Sequence, residues 1–568
     1  MKKDNILIVG HHPIRKDVSS QFERRGATVT LAERYSREAC TLSDYTEIVI
    51  LNAATEAASD AEADAQALAL LNVMAVDLML KSDSGLENKD GGNGRHKAVT
   101  VQRPLTHVLL RCYSTLRMLL LTDLPAAVNK SLEVYPFTME DTWAKNICVQ
   151  LPGITMGNRD GALPYGPYEP LDRQPIDAQS QQTVHVVICG FGEQAQSVAI
   201  NAALTCHYPN YREDDALPLR TRITIICDGI SRQRDEFIAM YRHLFDNSYW
   251  RAIDIRRQTV DFHEPMYAGQ HKDFVDVEWE FVDAAATDLY IAKRIEQWAT
   301  DGGRQLTLVI AGDDDEANMS LALSMPPAVY ERRIPVLVSQ RSDALASVLG
   351  QSPKAGQPPR FGNVRLFGMI DRGYDVNVPL VFMAKYLKYF YDCSYGDVGV
   401  PTVLPKDEVD AAWQKEQQLD KRFSNIYNIM TVSTKMRSLG HANDDCDKFY
   451  ALTQDEIEAL ARTEHNRWSV ERLITGSRPC TDDEQCAIAA NIQAIISLRA
   501  AGKPKDEWPA DLKKTYRDGQ KHAHYDLRAY DELCIDATGK NAQTYDYDLT
   551  ACIPLIVKTY CEDYGKKD

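Results

Sequence analysis

The sequence predicts an α/β protein with two tandem doubly wound units, a helical connector and a mainly α-helical C-terminal unit. Three observations predict this architecture. Short apolar runs alternate with turns and helix-length segments in residues 1–150, and the same alternation restarts at residue 184. A Pro-, Gly- and Gln-rich stretch, residues 151–183, separates the two as a linker. From residue 374 onward the apolar spacing becomes helical.

The first unit, residues 1–150, contains five expected strands, which are NILIVG, ATVTLAE, EIVILNA, THVLLRC and SLEVYPF. Five strands complete a small doubly wound domain. Its first turn, GHHPIRKD, keeps one glycine, Gly10, and places Pro13 where a helix should be starting. We therefore expect a structural or dimerising role for this unit. Nearby basic side chains that could face an anion are His11, His12, Arg15 and Lys16.

The second unit, residues 184–373, opens with a strand, a glycine turn and a helix in VHVVICGFGEQAQSVAINAAL. The further expected strands are RITIICDG, VEWEFVDA, QLTLVIAGDDDEAN, IPVLVSQ and NVRLFGM. Because both units begin with the same strand–turn–helix pattern, the sequence indicates an internal duplication that has diverged strongly.

The turn CGFGEQA carries the strongest nucleotide signal. Gly190, Gly192 and Ala195 fill the pattern G-x-G-x-x-G/A directly after a strand and at the start of a helix. Without side chains there, backbone N–H groups can meet a phosphate, assisted by the helix dipole. Asp228 ends the second strand, where an acid would bind a ribose, although an insertion lengthens the interval. The alternative is a turn that keeps its glycines for tight packing and binds nothing.

On GFGEQA, Asp228, VDAAATD and AGDDDEAN, the second unit resembles a TrkA-N (RCK-type) Rossmann domain, the nucleotide-sensing module of potassium-uptake regulators. The first unit resembles a degenerate copy of it. The resemblance implies a Rossmann-like fold with NAD(H) or another adenine nucleotide as cofactor. The cofactor-binding residues that it implies are Gly190, Gly192, Glu193, Ala195, Asp228, Asp283 and Asp313.

The C-terminal unit, residues 451–568, resembles the RyR domain, which is named after ryanodine receptors and also occurs in bacterial proteins. The resemblance runs through LARTEHNRWSVERLITG, HAHYDLRAYDEL and YDYDLTACIPLIV. The connector, residues 374–450, resembles the segment that joins TrkA-N and RyR domains. One departure is the turn Gly476–Pro479, GSRP, which replaces an aromatic turn of the family and removes a surface where a flat ligand could stack.

The polar face of the helix containing EHNRWSVER allows two interpretations. In the first, its charged residues fix the internal geometry of the domain and Trp468 packs into the core. In the second, arginines and a lysine meet a phosphate while His465 or Tyr530 contacts a base or sugar. The ligand-binding residues of this second interpretation are His465, Trp468, Arg472, Arg478, Lys521, His524 and Tyr530.

Composition limits the classes of partner. The net charge of −17 disfavours direct nucleic-acid binding. Thirteen cysteines without a C-x-x-C pair favour free thiols in a reducing, cytoplasmic compartment and argue against a zinc ribbon. We see no uninterrupted apolar run of about 18 residues, so no membrane insertion is expected.

No Walker A, G-x-S-x-G or H-E-x-x-H signature is present in the sequence. The acids of DDDEAN are interpreted as solvated or helix-capping, so no metal is expected.

Together these features predict a cytoplasmic sensor or effector of a nucleotide or nucleotide-derived signal that acts by ligand-induced conformational change. The combination of TrkA-N-like and RyR-like domains implies a role in bacterial antiviral or conflict signalling. The resemblance to TrkA-N domains implies a homodimer or higher homo-oligomer. Two alternatives stay open. One is an NAD(P)-dependent enzyme or nucleotide hydrolase, for which no acid or base is identified. The other is a cytoplasmic regulatory subunit of a potassium transporter.

Overall fold

A computed structural model describes most of the chain, in separate stretches. These are residues 4–24, 26–51, 59–86, 103–111, 124–150, 168–213, 215, 218–265, 273–345, 349, 359–369, 377–395, 401, 404–416, 418–441, 451–504, 507–509, 517–518, 523–535 and 541–563. The folded chain divides into two compact units, whose bounds differ from those of the two units predicted from the sequence. The first is Met1–Thr142 with Ile370–Asp375 and Asp410–Phe423, and the second is Trp143–Met369 with Val376–Val409 and Ser424–Asp568.

The first unit is built on a five-stranded parallel sheet, in which every predicted strand forms. Its strands are β1 (Asn5–Val9), β2 (Thr28–Ala32), β3 (Glu47–Ile50), β4 (Leu105–Leu109) and β5 (Glu133–Phe137). Their order is β2-β1-β3-β4-β5. This is the flavodoxin-like doubly wound order, and it differs from the dinucleotide-binding order, in which the third strand lies beyond the second.

The second unit contains an eight-stranded sheet. Its strands are β6 (Thr183–Cys189), β7 (Thr221–Cys227), β8 (Trp250–Asp254), β9 (Thr259–His263), β10 (Val277–Asp283), β11 (Arg304–Ile310), β12 (Val336–Ser339) and β13 (Val364–Phe367). The order is β13-β12-β11-β6-β7-β10-β8-β9, and β9 alone runs antiparallel to its neighbour. Without the hairpin β8–β9, this is the dinucleotide-binding order 3-2-1-4-5-6. The six predicted strands form, and the hairpin is an addition that the sequence did not indicate.

Eighteen α-helices lie in the described stretches. They are α1 (Arg15–Arg24), α2 (Asp60–Leu86), α3 (Ala126–Ser131), α4 (Met139–Cys148), α5 (Glu193–Thr205), α6 (Ser231–Met240), α7 (Arg242–Asp246), α8 (Leu289–Thr300), α9 (Asp315–Leu323), α10 (Pro327–Glu331), α11 (Asn377–Tyr395), α12 (Lys406–Lys415), α13 (Leu419–Met430), α14 (Val432–Ser438), α15 (Gln454–Ile474), α16 (Asp482–Ala500), α17 (Gln543–Ala551) and α18 (Ile553–Asp563). A small third sheet joins β14 (Arg478–Pro479), β15 (Arg517–Asp518) and β16 (Ala523–His524).

Residues 410–423 of the expected connector belong to the first unit because polar contacts hold them there. The indole Nε1 of Trp413 donates to Glu133 Oε1 over 2.6 Å, and Glu133 also accepts from the Tyr135 hydroxyl. A guanidinium nitrogen of Arg103 donates to the carbonyl oxygen of Gln414 over 2.6 Å. Buried polar groups that are fully paired in this way fix the position of a segment.

Helix α2 is the one described helix that is long and apolar enough to cross a membrane, over Asp60–Leu80. Within the first unit it packs against β4 and α3. Two of its carboxylates are buried: Asp64 accepts from the Arg111 amide over 2.8 Å, and Asp77 accepts from the Tyr35 hydroxyl over 2.7 Å. Carboxylates that are buried and paired are typical of a helix that packs on its own domain.

The cysteines confirm the expectation of free thiols in part. Ten of them are free in the described residues. Cys561 is the exception, because it is disulfide-bonded.

Candidate functional site

The turn after β6 lies at the carboxyl end of the second sheet, where β6 is flanked by β11 and β7 and the strand order reverses. Gly190 has φ +112, a conformation that L side chains rarely adopt. A Cβ at Gly190 would lie 2.4 Å from the carbonyl oxygen of Ala311, directly after β11. Only glycine therefore lets the turn close against the end of β11. This is the point in an open parallel sheet where ligands bind.

Helix α5 starts in this turn without a side-chain cap. Gly192 is its N-cap residue and has extended backbone, with φ −69. A Cβ on Gly192 would meet one side-chain oxygen, Oδ1 of Asp313, at 3.0 Å. Glu193 begins the helix, and Ala195 is buried against the sheet. Because the N-cap residue Gly192 has no side chain, it cannot itself bind the N–H groups at the start of α5, which is the arrangement found at helix starts that bind anions.

The three adjacent acids after β11 have separate roles. Asp314 caps α9 by accepting from the Ala317 amide over 2.7 Å, and Asp315 accepts from the Arg341 amide over 3.0 Å. Asp313 is exposed beside Gly192. In the described part of the chain, no group of three potential metal ligands comes together. The acids therefore act on the backbone, with Asp313 left facing the turn.

Two acids at the ends of β7 and β10 differ in what they hold. Asp283 accepts from the Gly229 amide over 2.7 Å and from the Ser231 hydroxyl over 3.4 Å, so it fixes the turn after β7. Asp228 lies in that turn with its side chain half exposed. Its Oδ1 is 2.6 Å from a guanidinium nitrogen of Arg256 in the β8–β9 turn. Asp228 therefore follows the carboxyl end of β7, the position predicted for a ribose contact, and has a cationic neighbour there.

The polar face of α15 is a buried charge network. Arg467 is 1% exposed and donates to both carboxylate oxygens of Glu464, over 2.9 and 2.8 Å, and to Glu471 over 2.8 Å. Lys435 of α14 donates to Glu464 over 2.6 Å, and Ser424 of α13 donates to Glu471 over 3.1 Å. Burial raises the pKa of Glu464, but Arg467 and Lys435 outweigh it and hold that pKa at about 2. These contacts support the first interpretation of this face, in which it fixes geometry.

His465 is buried with an acceptor at each ring nitrogen. Nδ1 lies 3.2 Å from Asp546 Oδ2, and Nε2 lies 2.8 Å from the carbonyl oxygen of Arg528. Burial lowers the pKa of His465, but the hydrogen bond and charge of Asp546 outweigh it and raise the pKa above its usual value. Because two acceptors need two N–H donors, the imidazolium is the form that this environment stabilises.

Trp468 differs from the expected core residue, since it is half-buried. His465 stacks on it with ring centroids 5.6 Å apart, and His524 meets it edge-on at 4.9 Å. The guanidinium carbon of Arg472 lies 5.8 Å from the indole centroid. Tyr530 contacts His465 at 5.9 Å between centroids. Five of the seven predicted ligand residues therefore form one aromatic and cationic cluster.

Arg472 has unused donor capacity in this cluster. It is 9% exposed, its Nε has no partner among the described residues, and its closest carboxylate, Glu471, is 3.7 Å away. A buried cation with a free N–H group is costly unless an acceptor reaches it. This property favours an anionic ligand at Arg472, the second interpretation of the face.

The remaining two predicted residues are Arg478 and Lys521, of which the structure describes the first. Arg478 in β14 is paired with Glu484, with nitrogen–oxygen distances of 2.8 and 2.9 Å. Lys521 lies outside the described residues. One residue of the site was missed: Arg528 is 7% exposed, lies over the Tyr525 ring at 4.0 Å, and has an Nη2 without a partner in the described stretches. The aromatic-rich stretch HYDLRAY was the available signal for it.

Comparison with known proteins adds no relative to this picture. No protein-family model, curated protein or solved structure matches the chain.

Proposed function

We propose that this protein senses a nucleotide or nucleotide-derived signal through its second unit and responds by conformational change. The observation that carries the proposal is the turn Gly190–Ala195 at the switch point of a sheet in dinucleotide-binding order. The ligand class is NAD(H) or another adenine nucleotide. Its phosphates meet the uncapped start of α5, and its ribose lies toward Asp228.

The route of response runs through α5. This helix starts at the turn and packs against α15, which the buried network of Arg467 ties to α13 and α14. A ligand that displaces the start of α5 therefore acts on α15 and, through the buried charge network, on α13 and α14. Such packed elements shift between discrete arrangements and do not deform gradually.

A second ligand contact is proposed at Trp468 and Arg472. The free Nε of Arg472 offers a hydrogen bond to an anionic group, and the half-buried indole offers a surface for a flat ring. Both ring nitrogens of His465 already have hydrogen-bond partners, so His465 does not bind the ligand and instead positions Trp468, on which its ring stacks.

The test of the first site is native mass spectrometry of the full chain with NAD+, NADH, ATP and cyclic oligonucleotides, followed by thermal shift with each binder. We expect at least one adenine nucleotide to bind and to raise the melting temperature. In Gly192→Leu the shift should vanish while the melting temperature without ligand is retained, because the nearest atom is the mobile end of Asp313. An unchanged shift in this variant would disprove the site.

The test of the second contact is Arg472→Ala in the full chain. We expect ligand affinity to fall by about tenfold, since a hydrogen bond to a charged group is lost. Arg478→Ala is the matched control, because Arg478 already has its carboxylate partner. Equal loss in both variants would contradict the assignment. Slow consumption of NAD+ during these incubations would instead favour the enzyme alternative.

A further inference from the structure

The hairpin β8–β9 brings a cation to the ribose end of the proposed nucleotide site. β8 runs parallel to β10 in register, with Asp254 opposite Asp283. The carboxyl end of β8 therefore lies at the same sheet edge as the turns that face the nucleotide. The tight turn between β8 and β9 contains Arg256, whose guanidinium reaches Asp228 at 2.6 Å.

Arg256 has the capacity to hold a second anion while it holds Asp228. Its side chain is 69% exposed, and Asp228 is its one ion-pair partner among the described residues. A guanidinium carries five N–H donors in a planar fork that matches a phosphate. Exposed ion pairs of this kind contribute little free energy, so the geometry can adapt to an incoming ligand at small cost.

An acid at the end of the second strand ordinarily binds the free 2′-hydroxyl of an adenosine ribose, and a nearby arginine accommodates a phosphate there. A bare Asp228 carboxylate would repel such a phosphate. Paired with Arg256, Asp228 is neutralised and the arginine faces the position of the ribose substituent. The pair therefore changes the substituent that this end of the site accepts.

We propose that the site prefers an adenine nucleotide whose ribose carries a phosphomonoester, and that Arg256 is the residue that determines this specificity. The inference rests on the proposed function, because it assigns a substrate class to the same site. Removal of Arg256 should do more than weaken binding. It should leave Asp228 free to bind a ribose hydroxyl and to repel a phosphate, so the preference should invert.

The experiment is isothermal titration calorimetry of the full chain with NADP+ and NAD+, and with 2′,5′-ADP and 3′,5′-ADP to locate the phosphate. We expect wild type to prefer NADP+ by about tenfold, the effect of one charge-assisted hydrogen bond. Arg256→Ala should prefer NAD+. Arg256→Lys should keep part of the NADP+ preference, because the charge remains and the fork is lost.

Arg242→Ala is the control. Arg242 is 74% exposed, pairs with Asp246 at 3.3 Å, and lies in α7 before the start of β8, at the opposite edge of the sheet. It should behave as wild type. Equal binding of NADP+ and NAD+ by wild type, or an unchanged preference in Arg256→Ala, would overturn the specificity while leaving the nucleotide site intact. Absence of binding by all four compounds and by the broader panel would overturn the site itself.

Discussion

The turn after β1 and the turn after β6 begin with glycines of almost identical backbone conformation, φ +110 at Gly10 and φ +112 at Gly190. They then differ in how the following helix starts. In the first unit, His12 Nδ1 accepts from the Ile14 amide over 3.2 Å, and the His12 carbonyl accepts from the Arg15 amide. In the second unit, the N-cap residue of α5 is Gly192, which has no side chain to act as a cap.

In both units the glycine provides the turn, and the residues that follow it determine whether a side chain binds the N–H groups at the helix start. A helix N-terminus offers N–H groups to whichever acceptor reaches them first. In the first unit that acceptor is the protein's own imidazole. Burial, and then the neighbouring Arg111, lower the pKa of His12, which favours the neutral ring that can accept a hydrogen bond.

Substitution of the two glycines should separate their roles most strongly. Gly190→Ala should lower the free energy of unfolding by roughly 3 kcal/mol, because backbone strain and overlap with the Ala311 carbonyl combine. Gly10→Ala should cost about 1–2 kcal/mol from backbone strain. Urea unfolding followed by circular dichroism measures both. Equal losses would show that close approach to β11 is not what requires Gly190.

Removal of the imidazole cap should have a smaller effect. His12→Ala should destabilise the protein by about 1 kcal/mol, the usual cost of a lost capping acceptor. The adjacent His11 is exposed and makes a matched control, with an expected change within about 0.5 kcal/mol. Urea midpoints of the two variants provide the comparison. If His11→Ala were the more destabilising change, the capping role of His12 would be wrong.

The pH dependence should be the smallest effect, and it should have opposite signs for two histidines. The pKa of His12 is lowered, so its stabilising contribution is complete above about pH 6.5 and declines as the pH falls below that value. The pKa of His465 is raised, so its contribution is complete below about pH 6.5 and declines as the pH rises. Unfolding of wild type, His12→Ala and His465→Gln between about pH 5.5 and 8.5 tests this. Parallel profiles for the two variants would contradict it.

The sequence predicted the parallel sheets well because their strands are apolar runs bounded by turns. Buried on both faces, such strands carry a strong signal. The hairpin β8–β9 was missed because its strands do not: in TVDFH, Val260 and Phe262 are each 61% exposed. The ion pair of Arg256 with Asp228 joins this hairpin to the turn after β7, which is distant in sequence, so local spacing could not indicate it.

The helix of α15 was predictable, and its buried face was predictable in part. Its start follows from Thr453 and Glu456, which form a capping box. Hydrophobicity placed Trp468 inward, whereas the structure buries Arg467 and leaves Trp468 half-buried. The reason is distant in sequence: Glu464 is shared between Arg467 and Lys435, and the latter lies on another helix. Charged side chains such as these can be buried only when the fold brings their oppositely charged partners into contact.

The buried network also constrains how this sequence can evolve. Loss of Arg467 alone would leave the buried Glu464 with Lys435 as its remaining cation and Glu471 with the Ser424 hydroxyl. Loss of Glu464 alone would leave Arg467 with Glu471 but would take from the buried Lys435 its carboxylate partner, at a cost of about 3–5 kcal/mol. Such a cost is a large part of the stability of an ordinary domain. The residues at positions 435, 464, 467 and 471 should therefore be conserved together or replaced together. In an alignment of related sequences, covariation among these four positions would identify distant relatives that keep this helix arrangement.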